Sequence, residues 1–566
     1  TYYASMMGTT AEEMWAKEMA VEILLEHNVD TIFGYPGGAA LFIYDALYKY
    51  KDRIKHVLTA HEQGASHAAD GYARSTGKTG VVLATSGPGA TNLVTGIATA
   101  YMDSIPMVII TANVANSLIG RDAFQETCIT GITFPVTKHS YFVNRTDELA
   151  DALRNAFRIA NEGRKGPVLV DITKDVTGAM VDYQPAPNCE LKKVRPEELD
   201  KKIASFAKYI NKAEKPVLYL GGGVIASEAS EEVMRLMEKA DIPAVNSMMA
   251  AGAVPVTDHR SFGMLGMHGS YAANKCIAEA DLVLAVGTRF SDRVALNPKK
   301  FASKAKILQI DIDKSEVSKN VIVNDAIVGD CKEVLEELIP EIQSADHSEW
   351  IAQINRWNEE HPLKITGYDD VLNPQQIIQT VCDRAGDDAI YVTDVGQHQM
   401  WSAQYINHQK PRHFLTSGGL GTMGFGYGAA IGAQFGNQDK RVIHFTGDGS
   451  FHMNLNEACT AVSNSLPIIT VIMNNSVLGM VYQWQTDFYG GRYSQTTPER
   501  KTDFVKLIEA FGGTGYRAET YDEFCQVLDK AFKAEGPVWI DCRIVQNEKV
   551  LPMIPNGMTV EDSIFE

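Results

Sequence analysis

Short apolar runs alternate with amphipathic stretches along almost the whole chain. The β-type runs include residues 81–84, 107–111, 168–172, 216–220, 282–286, 307–310, 390–393, 441–445 and 468–472. Strands that alternate with helical segments predict parallel sheets with helices packed on both faces. The alternation therefore predicts an α/β fold of open, mostly parallel sheets flanked by helices.

Two stretches break this rhythm and divide the chain. Residues 177–200 are polar and contain prolines, and residues 340–374 are rich in charged and amide side chains. A chain of 566 residues is long enough for three or four domains of about 150 residues each. We predict three domains, spanning residues 1–185, 190–345 and 370–566, and the last of them ends in a C-terminal tail.

The net charge of −18 narrows the range of partners. General nucleic-acid binders and proteins of anionic membrane surfaces need a basic face, so we expect neither partner here. No apolar run approaches the length of about 20 residues that spans a bilayer. Residues 1–10 lack the features of a signal peptide. The eight scattered cysteines form no zinc-binding cluster, which predicts reduced thiols in a cytosol-like compartment.

Two polar side chains follow apolar strands in the third predicted domain. Asp448 lies in a Gly-Asp-Gly turn after residues 442–445, and Asn475 follows residues 468–472. The carboxyl ends of parallel strands share one edge of a sheet, which is where open α/β sheets bind ligands. Carboxylate and carboxamide oxygens favour Mg²⁺, which commonly holds a diphosphate. The adjacent glycines, Gly447 and Gly449, let backbone N–H groups approach such phosphates.

A Gly-Asp-Gly turn followed about 25 residues later by Asn-Asn resembles the signature of thiamine-diphosphate enzymes. Over nearly its whole length the chain resembles the catalytic subunits of acetohydroxyacid synthases, also called biosynthetic acetolactate synthases. The matching segments are FGYPGG (33–38), HEQGA (61–65), SGPGATN (86–92), DAFQET (122–127), GPVLVD (166–171), LGMHG (265–269), DVGQHQMW (394–401), GGLGTMG (418–424) and LGMVYQWQ (478–485). Several of these occur across the superfamily, whereas DAFQET, GMHG and QWQ are much narrower.

The resemblance implies a role for each predicted domain. The domain of residues 1–185 binds the aminopyrimidine of thiamine diphosphate, that of residues 190–345 binds FAD, and that of residues 370–566 binds the diphosphate and Mg²⁺. In such enzymes the cofactor lies between the first domain of one subunit and the third domain of another. A homodimer or a dimer of dimers is therefore implied, together with a separate regulatory small subunit.

Glu62 is the main catalytic candidate. It follows a strand-like stretch, residues 57–60, and precedes a helix that starts with small residues, so its carboxyl group is expected to be poorly solvated. By resemblance, Glu62 bonds N1′ of the aminopyrimidine and favours the imino form, which removes the thiazolium C2 proton. Gly37 and Gln125 are the other catalytic candidates.

The resemblance also assigns the thiamine-diphosphate and metal sites. Met423, in a glycine-rich turn, props the cofactor into a V shape. The predicted thiamine-diphosphate contacts are Pro36, Glu62, Val395, Gly396, Gln397, His398, Gly421, Met423, Gly447, Asp448, Gly449, Ser450, Asn475 and Met480. The predicted Mg²⁺ ligands are Asp448, Asn475 and the backbone carbonyl of Val477. Residues 419–424 also match G-x-G-x-x-G, but a poor preceding strand and the metal role of Asp448 argue against an NAD site.

The middle domain carries a second nucleotide signal, a strand at residues 216–220 that runs into three glycines. The resemblance implies a structural FAD, and a flavin-type fold without a ligand is the alternative. The predicted FAD contacts are Arg164, Gly221, Gly222, Gly223, Met267, His268, Gly269, Gly287, Arg289, Arg293, Asp311, Ile312 and Asp330. Ser291 departs from the aspartate that is usual in the R-F-[DS]-D-R segment.

The substrate pocket is assigned in the same way, to Phe124, Gln125, Lys174, Arg293, Met480 and Trp484. A guanidinium binds a 2-oxo acid carboxylate, and an indole packs on the extra methyl group of 2-oxobutyrate, which is worth about 1–3 kcal/mol. The implied activity is decarboxylation of pyruvate and ligation of the two-carbon unit to pyruvate or 2-oxobutyrate, the first common step toward valine, leucine and isoleucine.

Three alternatives stay open for the function. A pyruvate oxidase or another 2-oxo acid decarboxylase of the superfamily would use the same cofactor, although the DAFQET and QWQ segments argue against both. An inactive cofactor-binding scaffold is disfavoured because Glu62, Asp448 and Asn475 are intact. The expected location is a bacterial cytoplasm, with a plastid enzyme lacking its transit peptide as the alternative.

Overall fold

The computed structural model describes residues 11–188, 191, 194–365 and 371–566. Residues 1–10, where no signal peptide is expected, and Cys189 lie outside these ranges. The described chain forms three six-stranded parallel sheets with helices on their faces, which confirms the predicted fold class. None of its described helices has both the length and the apolar character needed to cross a bilayer.

The first sheet has the strand order β3-β2-β4-β5-β7-β6, and all of its pairs are parallel. Its strands are β2 (Thr31–Tyr35), β3 (Lys55–Leu58), β4 (Gly80–Ala84), β5 (Met107–Asn113), β6 (His139–Val143) and β7 (Pro167–Thr173). Its helices are Ala16–Glu26, Leu41–Lys49, Glu62–Thr76, Pro88–Thr91, Val94–Met102, Ile129–Thr133, Leu149–Asn161 and Lys174–Thr177. Every residue of β4, β5 and β7 is buried, as expected for strands covered on both faces.

The middle sheet has the order β11-β10-β9-β12-β13-β14. Numbered along the chain, this is 3-2-1-4-5-6, the strand order of dinucleotide-binding folds. The strands are β9 (Pro216–Leu220), β10 (Ala244–Asn246), β11 (Ser261–Met264), β12 (Leu282–Val286), β13 (Lys306–Asp311) and β14 (Asp325–Val328). The helices are Leu199–Lys212, Gly222–Ala226, Ser230–Ala240, Tyr271–Glu279, Cys331–Leu338 and Ser348–Glu360.

The third sheet has the order β16-β15-β17-β18-β20-β19. Its strands are β15 (Ile390–Thr393), β16 (Phe414–Leu415), β17 (Val442–Gly447), β18 (Ile469–Asn474), β19 (Thr514–Ala518) and β20 (Val538–Arg543). Its helices are Pro374–Ala385, Gln397–Tyr405, Phe425–Gly436, Asp448–Asn454, Ala458–Ser463, Gly479–Phe488, Phe504–Phe511 and Tyr521–Ala531. Both the first and the third sheet have the order 2-1-3-4-6-5 when their strands are numbered along the chain.

The first and third domains join within one chain through the helices Glu62–Thr76 and Phe425–Gly436. A Cβ added to Gly71 would lie 2.1 Å from the Ala429 carbonyl oxygen, and one added to Gly432 would lie 1.7 Å from the Ala68 oxygen. Glycine at these positions therefore lets the two backbones touch. The surrounding core contains buried residues from both domains.

Three segments differ from the prediction. The apolar spacing of residues 11–27 predicts a single helix. The helix is confined to Ala16–Glu26, because Glu12–Trp15 forms β1 and pairs antiparallel with β8 (Met180–Tyr183). That pairing also places a strand inside the supposed linker of residues 177–200. The second supposed break contains the helix Ser348–Glu360, whose Trp350 Nε1 donates to the Pro216 carbonyl oxygen over 3.1 Å.

Candidate active site

The predicted metal ligands lie at the ends of two neighbouring strands. Asp448 follows β17 and Asn475 follows β18, with Gly447 and Met473 paired in register. Burial raises the pKa of the Asp448 carboxyl group to about 6, and no described cationic side chain forms an ion pair with it. A buried carboxylate with no ion-pair partner among the described residues, beside a carboxamide, suits a hard cation such as Mg²⁺.

The backbone beside these ligands leaves room for a phosphate group. Gly396, with φ of 147°, precedes the helix Gln397–Tyr405, so that helix directs its N-terminal N–H groups toward the same sheet edge. A Cβ at Gly447 would lie 3.2 Å from Nδ1 of His398. Burial lowers the pKa of His398 to about 4, which keeps the imidazole neutral. These groups fit a metal-bound diphosphate.

The loop that carries Met423 is held by the first domain of the same chain. Asp103 accepts hydrogen bonds from the backbone N–H groups of Gly418 and Gly419, at 3.2 and 2.8 Å. The hydroxyl groups of Thr99 and Thr422 are 2.7 Å apart. The loop conformation is therefore set by contacts outside its own domain.

Arg74 and Asp103 belong to a buried charged cluster that reaches the same loop. Arg74 pairs with Asp70 and with Asp103, the latter at 2.9 Å, and donates to the Thr416 carbonyl oxygen over 2.6 Å. All three charged side chains are almost fully buried. The cluster ties the helix that begins at Glu62 to the loop of Met423.

The glycine turns of the middle domain meet at its topological switch point, between β9 and β12. Gly223 N–H donates to the Gly287 carbonyl oxygen over 3.0 Å, and a Cβ on either glycine would lie 2.7 Å from the other residue's Cα. Open α/β sheets bind nucleotides at such points. The Arg289 guanidinium beside these turns has no ion-pair partner among the described residues. Burial raises the pKa of Asp311 to about 6.

One cleft of about 1820 Å³ runs between the middle and third domains and is also lined by first-domain residues, including Asp103 and Arg164. The predicted site residues that line it are Arg164, Gly222, Gly223, Met267, His268, Gly287, Arg289, Arg293, Asp311, Ile312, Asp330, Val395, Gly396, Gln397, His398, Gly421, Met423, Gly447, Asp448, Gly449, Ser450, Asn475, Val477, Met480 and Trp484. The structure therefore brings the proposed flavin, diphosphate and metal residues, with part of the substrate pocket, to a single cavity.

Arg164 lines this cleft but is already engaged within the chain. Its guanidinium pairs with Glu316 at 2.9 Å and with Asp313 at 3.3 Å. Gly221 and Gly269 lie outside the lining and pack against neighbouring backbone.

Glu62 and its neighbours form a separate group on the first domain. Asn92 Nδ2 donates to Glu62 Oε2 over 3.0 Å, and the Glu62 side chain is 13 % exposed. A Cβ at Gly89 would lie 3.4 Å from Glu62 Oε1 and 2.8 Å from the Thr85 methyl group. Thr85 also closes against Gly37, where an added Cβ would lie 2.3 Å away.

Gln125 approaches the same turn from another loop. It adopts φ of 60° and lies against Gly87, where an added Cβ would be 2.8 Å from the Gln125 Cα. Phe124 beside it is 86 % exposed, Pro36 is exposed, and Lys174 lies near the Phe42 ring. These residues do not line the cleft of their own chain. The predicted site residues therefore fall into two groups within the chain, one along the cleft and one on the first domain.

Sequence reasoning missed the residues that hold these two groups of site residues in place. Glu457 of the third domain accepts from the backbone N–H groups of Ala60 and His61, both at 3.1 Å, just before Glu62. Asp103 and Arg74 fix the Met423 loop, and Gln483 contacts Gln397. Each acts across a long sequence separation, and no local pattern in the sequence signals such partners.

Comparison with known families identifies three consecutive domains. Residues 14–132 match the N-terminal thiamine pyrophosphate binding domain of thiamine pyrophosphate enzymes, residues 203–338 match their central domain, and residues 394–542 match their C-terminal binding domain. The central match contains the whole middle sheet, and the other two matches contain most strands of the first and third sheets.

Curated relatives align over almost the whole chain. The acetolactate synthase large subunit of Haemophilus influenzae is 43 % identical over 559 residues, covering 97 % of both chains. That of Buchnera aphidicola is 45 % identical over 552 residues, covering 95 % of this chain and 96 % of the relative. That of Corynebacterium glutamicum is 45 % identical over 567 residues, covering 97 % and 90 %. The chain belongs to the acetolactate synthase family of thiamine pyrophosphate enzymes.

Proposed function

We propose that this protein is the catalytic subunit of an acetohydroxyacid synthase. It decarboxylates pyruvate and joins the remaining two-carbon unit to a second pyruvate, giving 2-acetolactate, or to 2-oxobutyrate, giving 2-aceto-2-hydroxybutyrate. The observation that carries the proposal is the single cleft in which Asp448 and Asn475 lie together with Met423, Arg293 and Trp484. That cleft combines a diphosphate site with an apolar and cationic pocket.

Thiamine diphosphate, when bound, supplies an electron sink at its thiazolium C2. Asp448, Asn475 and the Val477 carbonyl would hold Mg²⁺, and Gly396, His398 and Ser450 lie where they can contact the diphosphate. Met423 supports the cofactor from a loop braced by Asp103. The chain thus positions the reactive carbon without supplying its own nucleophile.

Glu62 holds a proton at the aminopyrimidine ring. Its low exposure and its hydrogen bond from Asn92 keep the carboxyl group directed and partly desolvated. Since Glu62 does not line the cleft of its own chain, a complete site requires a second copy. Exposed apolar side chains around it, including Phe124 and Leu58, support a homodimer or a dimer of dimers.

FAD would occupy the middle-domain end of the cleft. Its support is the 3-2-1-4-5-6 strand order, the glycine turns at the switch point and the Arg289 guanidinium, which has no ion-pair partner in the described part of the chain. FAD has a structural role in this proposal, because the overall reaction involves no net oxidation or reduction.

Acceptor choice belongs to Trp484, Met480 and Arg293, with Phe124, Gln125 and Lys174 contributed by the second copy. Arg293 binds the carboxylate of the 2-oxo acid, and Trp484 packs against its alkyl end. One extra methylene group is worth about 1–3 kcal/mol in such a pocket, which favours 2-oxobutyrate.

The assembly includes a further component in this proposal. Several relatives are named large subunits, which supports a separate regulatory small subunit. We place the protein in a bacterial cytoplasm.

Product analysis tests the function. The purified chain is mixed with thiamine diphosphate, Mg²⁺, FAD, pyruvate and 2-oxobutyrate, and the products are separated. We expect acetohydroxybutyrate to exceed acetolactate, and a Trp484→Leu variant to lose this preference while still forming acetolactate. Acetaldehyde or acetyl phosphate as the only product would instead identify a decarboxylase or a pyruvate oxidase.

A further inference from the structure

Three buried side-chain amides join end to end between the C-terminal segment and the proposed metal site. Asn475 Nδ2 donates to Gln397 Oε1 over 3.1 Å, and Gln397 Nε2 donates to Gln483 Oε1 over 3.0 Å. Gln483 in turn bonds the backbone of Val550. All three side chains are less than 10 % exposed. We call this chain of amides, Asn475–Gln397–Gln483, the amide relay.

The backbone of Val550 fixes the orientation of the Gln483 amide. Gln483 Oε1 accepts from Val550 N–H over 2.9 Å, while its Nε2 donates to the Val550 carbonyl oxygen over 3.1 Å. A backbone N–H can only donate and a carbonyl oxygen can only accept, so the reversed amide would lose both bonds. The Gln483 oxygen must therefore face Gln397.

The same restriction passes along the relay. Gln397 Nε2 donates both to Gln483 Oε1 and to the Glu548 carbonyl oxygen, the latter over 2.9 Å. Its Oε1 is then the only atom left to meet Asn475, and it accepts from Asn475 Nδ2. The Asn475 oxygen is left on the opposite side, where it accepts from Val477 N–H at 3.3 Å, and Asn475 is one of the residues that line the cleft.

A glycine leaves space for this arrangement. A Cβ added to Gly479 would lie 2.1 Å from Gln397 Oε1 and 3.0 Å from Asn475 Nδ2. The residue at position 479 is thus constrained by the relay as well as by its place at the start of the helix Gly479–Phe488.

We propose that Gln483 and Gln397 are positioning residues through which the backbone of residues 548–550 fixes the Asn475 amide, with its oxygen turned toward the metal. The proposal rests on the proposed function for the identity of the metal site. It extends that site into the C-terminal segment, which lies beyond the matched binding domain at residues 394–542.

The test measures metal affinity and needs no turnover. Mn²⁺ replaces Mg²⁺, since both prefer oxygen ligands, and bound and free Mn²⁺ are separated by electron paramagnetic resonance in the presence of thiamine diphosphate. We expect Gln483→Met to raise the Mn²⁺ dissociation constant at least tenfold, the usual effect of losing a residue that orients a ligand. A double variant with Gln397→Met should bind no more weakly than Gln397→Met alone, because either change interrupts the relay.

A matched control separates the relay from loosening of the tail. Gln404 also donates to a tail carbonyl, that of Leu551 at 3.2 Å, but has no contact with Asn475. Gln404→Met should leave the dissociation constant within twofold of the parent value. If Gln483→Met fails to fold, Gly479→Ala displaces the Gln397 amide without removing a hydrogen-bonding group, and the same tenfold loss is expected.

The outcomes are distinct. Unchanged Mn²⁺ affinity in Gln483→Met, or in Gly479→Ala where the first variant is unfolded, would overturn the relay while leaving the proposed function intact. Equal losses of Mn²⁺ affinity in Gln483→Met and Gln404→Met would overturn the relay, because they would show that loosening of the C-terminal segment alone weakens metal binding. A parent protein that binds no Mn²⁺ with thiamine diphosphate would overturn the metal site itself.

Discussion

The first and third domains share one strand order but differ in what their strand ends carry. Each sheet even repeats a buried pair on its fourth and sixth strands: Asn113 donates to Asp171 in the first domain, and Asn474 donates to Asp541 in the third. The third domain adds arginines, with Arg543 at 3.0 Å and Arg517 at 3.5 Å from Asp541. Asp171 has no described cationic partner.

The difference extends to the candidate sites. The third domain gathers the predicted oxygen ligands and glycine turns at the carboxyl edge of its sheet, which suits the binding of a charged cofactor. The first domain offers one directed carboxyl group, Glu62, amid exposed apolar side chains. In the proposed function the same topology therefore carries cofactor binding in one domain and proton transfer in the other, because the chemistry lies in the loops.

The largest expected effect distinguishes the proposed roles of the first and third domains. Glu62→Gln should lower turnover by about 10²- to 10⁴-fold, the usual contribution of a proton-transferring group, while cofactor affinity changes little. Asp448→Asn should instead raise the cofactor dissociation constant, as measured by calorimetry with Mg²⁺ present. The exposed Glu13→Gln variant serves as the control, and identical defects in both site variants would contradict the division of roles.

The second largest effect is expected from the buried charged cluster of Arg74, Asp70 and Asp103. Arg74→Met leaves Asp70 and Asp103 buried without their cation, which should cost about 3–5 kcal/mol of unfolding free energy. The loss is read from the urea denaturation midpoint. Arg145→Met removes an exposed arginine paired with Asp147 in the same domain and should leave the midpoint unchanged.

The Asn113–Asp171 pair should make the stability of the protein depend on pH. Burial raises the pKa of Asp171 to about 6, above its unfolded value near 3.8. The folded state therefore binds more protons between these values, and stability falls as pH rises through that window, by at most about 3 kcal/mol. Asp171→Asn should remove this slope from denaturation midpoints measured between pH 4 and 7. An unchanged slope would assign it to other groups.

The smallest effect on stability is expected at the contact between the helices Glu62–Thr76 and Phe425–Gly436. Gly432→Ala forces a Cβ against the Ala68 carbonyl oxygen and should cost about 1–3 kcal/mol through overpacking. Gly38→Ala, where an added Cβ meets nothing within 4 Å, is the matched control in thermal denaturation. Equal melting temperatures for the two variants would show that the crossing yields without cost.

Local patterns predicted the sheets well. Residues 216–220, 282–286 and 390–393 were predicted as strands and form β9, β12 and β15 with the same limits. Fully buried strands read as continuous apolar runs, so their signal is strong. The short or edge strands β6, β11, β14 and β16 were not predicted, because half-exposed strands carry mixed side chains.

Residues tied to short motifs were also predictable, whereas their supports were not. Asp448, Asn475 and Met423 follow recognisable turns, and the structure brings them to one cleft. Glu457 and Asp103 lie outside such motifs, and Gln483 lies within the LGMVYQWQ segment, which does not reveal its partners; all three act on distant segments. Their roles depend on tertiary packing, which a single sequence does not encode in any local pattern.

The contact between the first and third domains also affects how the protein folds during its synthesis. The bond from Ala60 N–H to Glu457 joins residues 397 positions apart in the chain. At about 5–20 residues per second, synthesis of the intervening chain takes roughly 20–80 s. During that time the small-residue face of the helix Glu62–Thr76 has no partner from its own chain. The nascent first domain therefore exposes, for most of this interval, a surface that is buried in the finished protein.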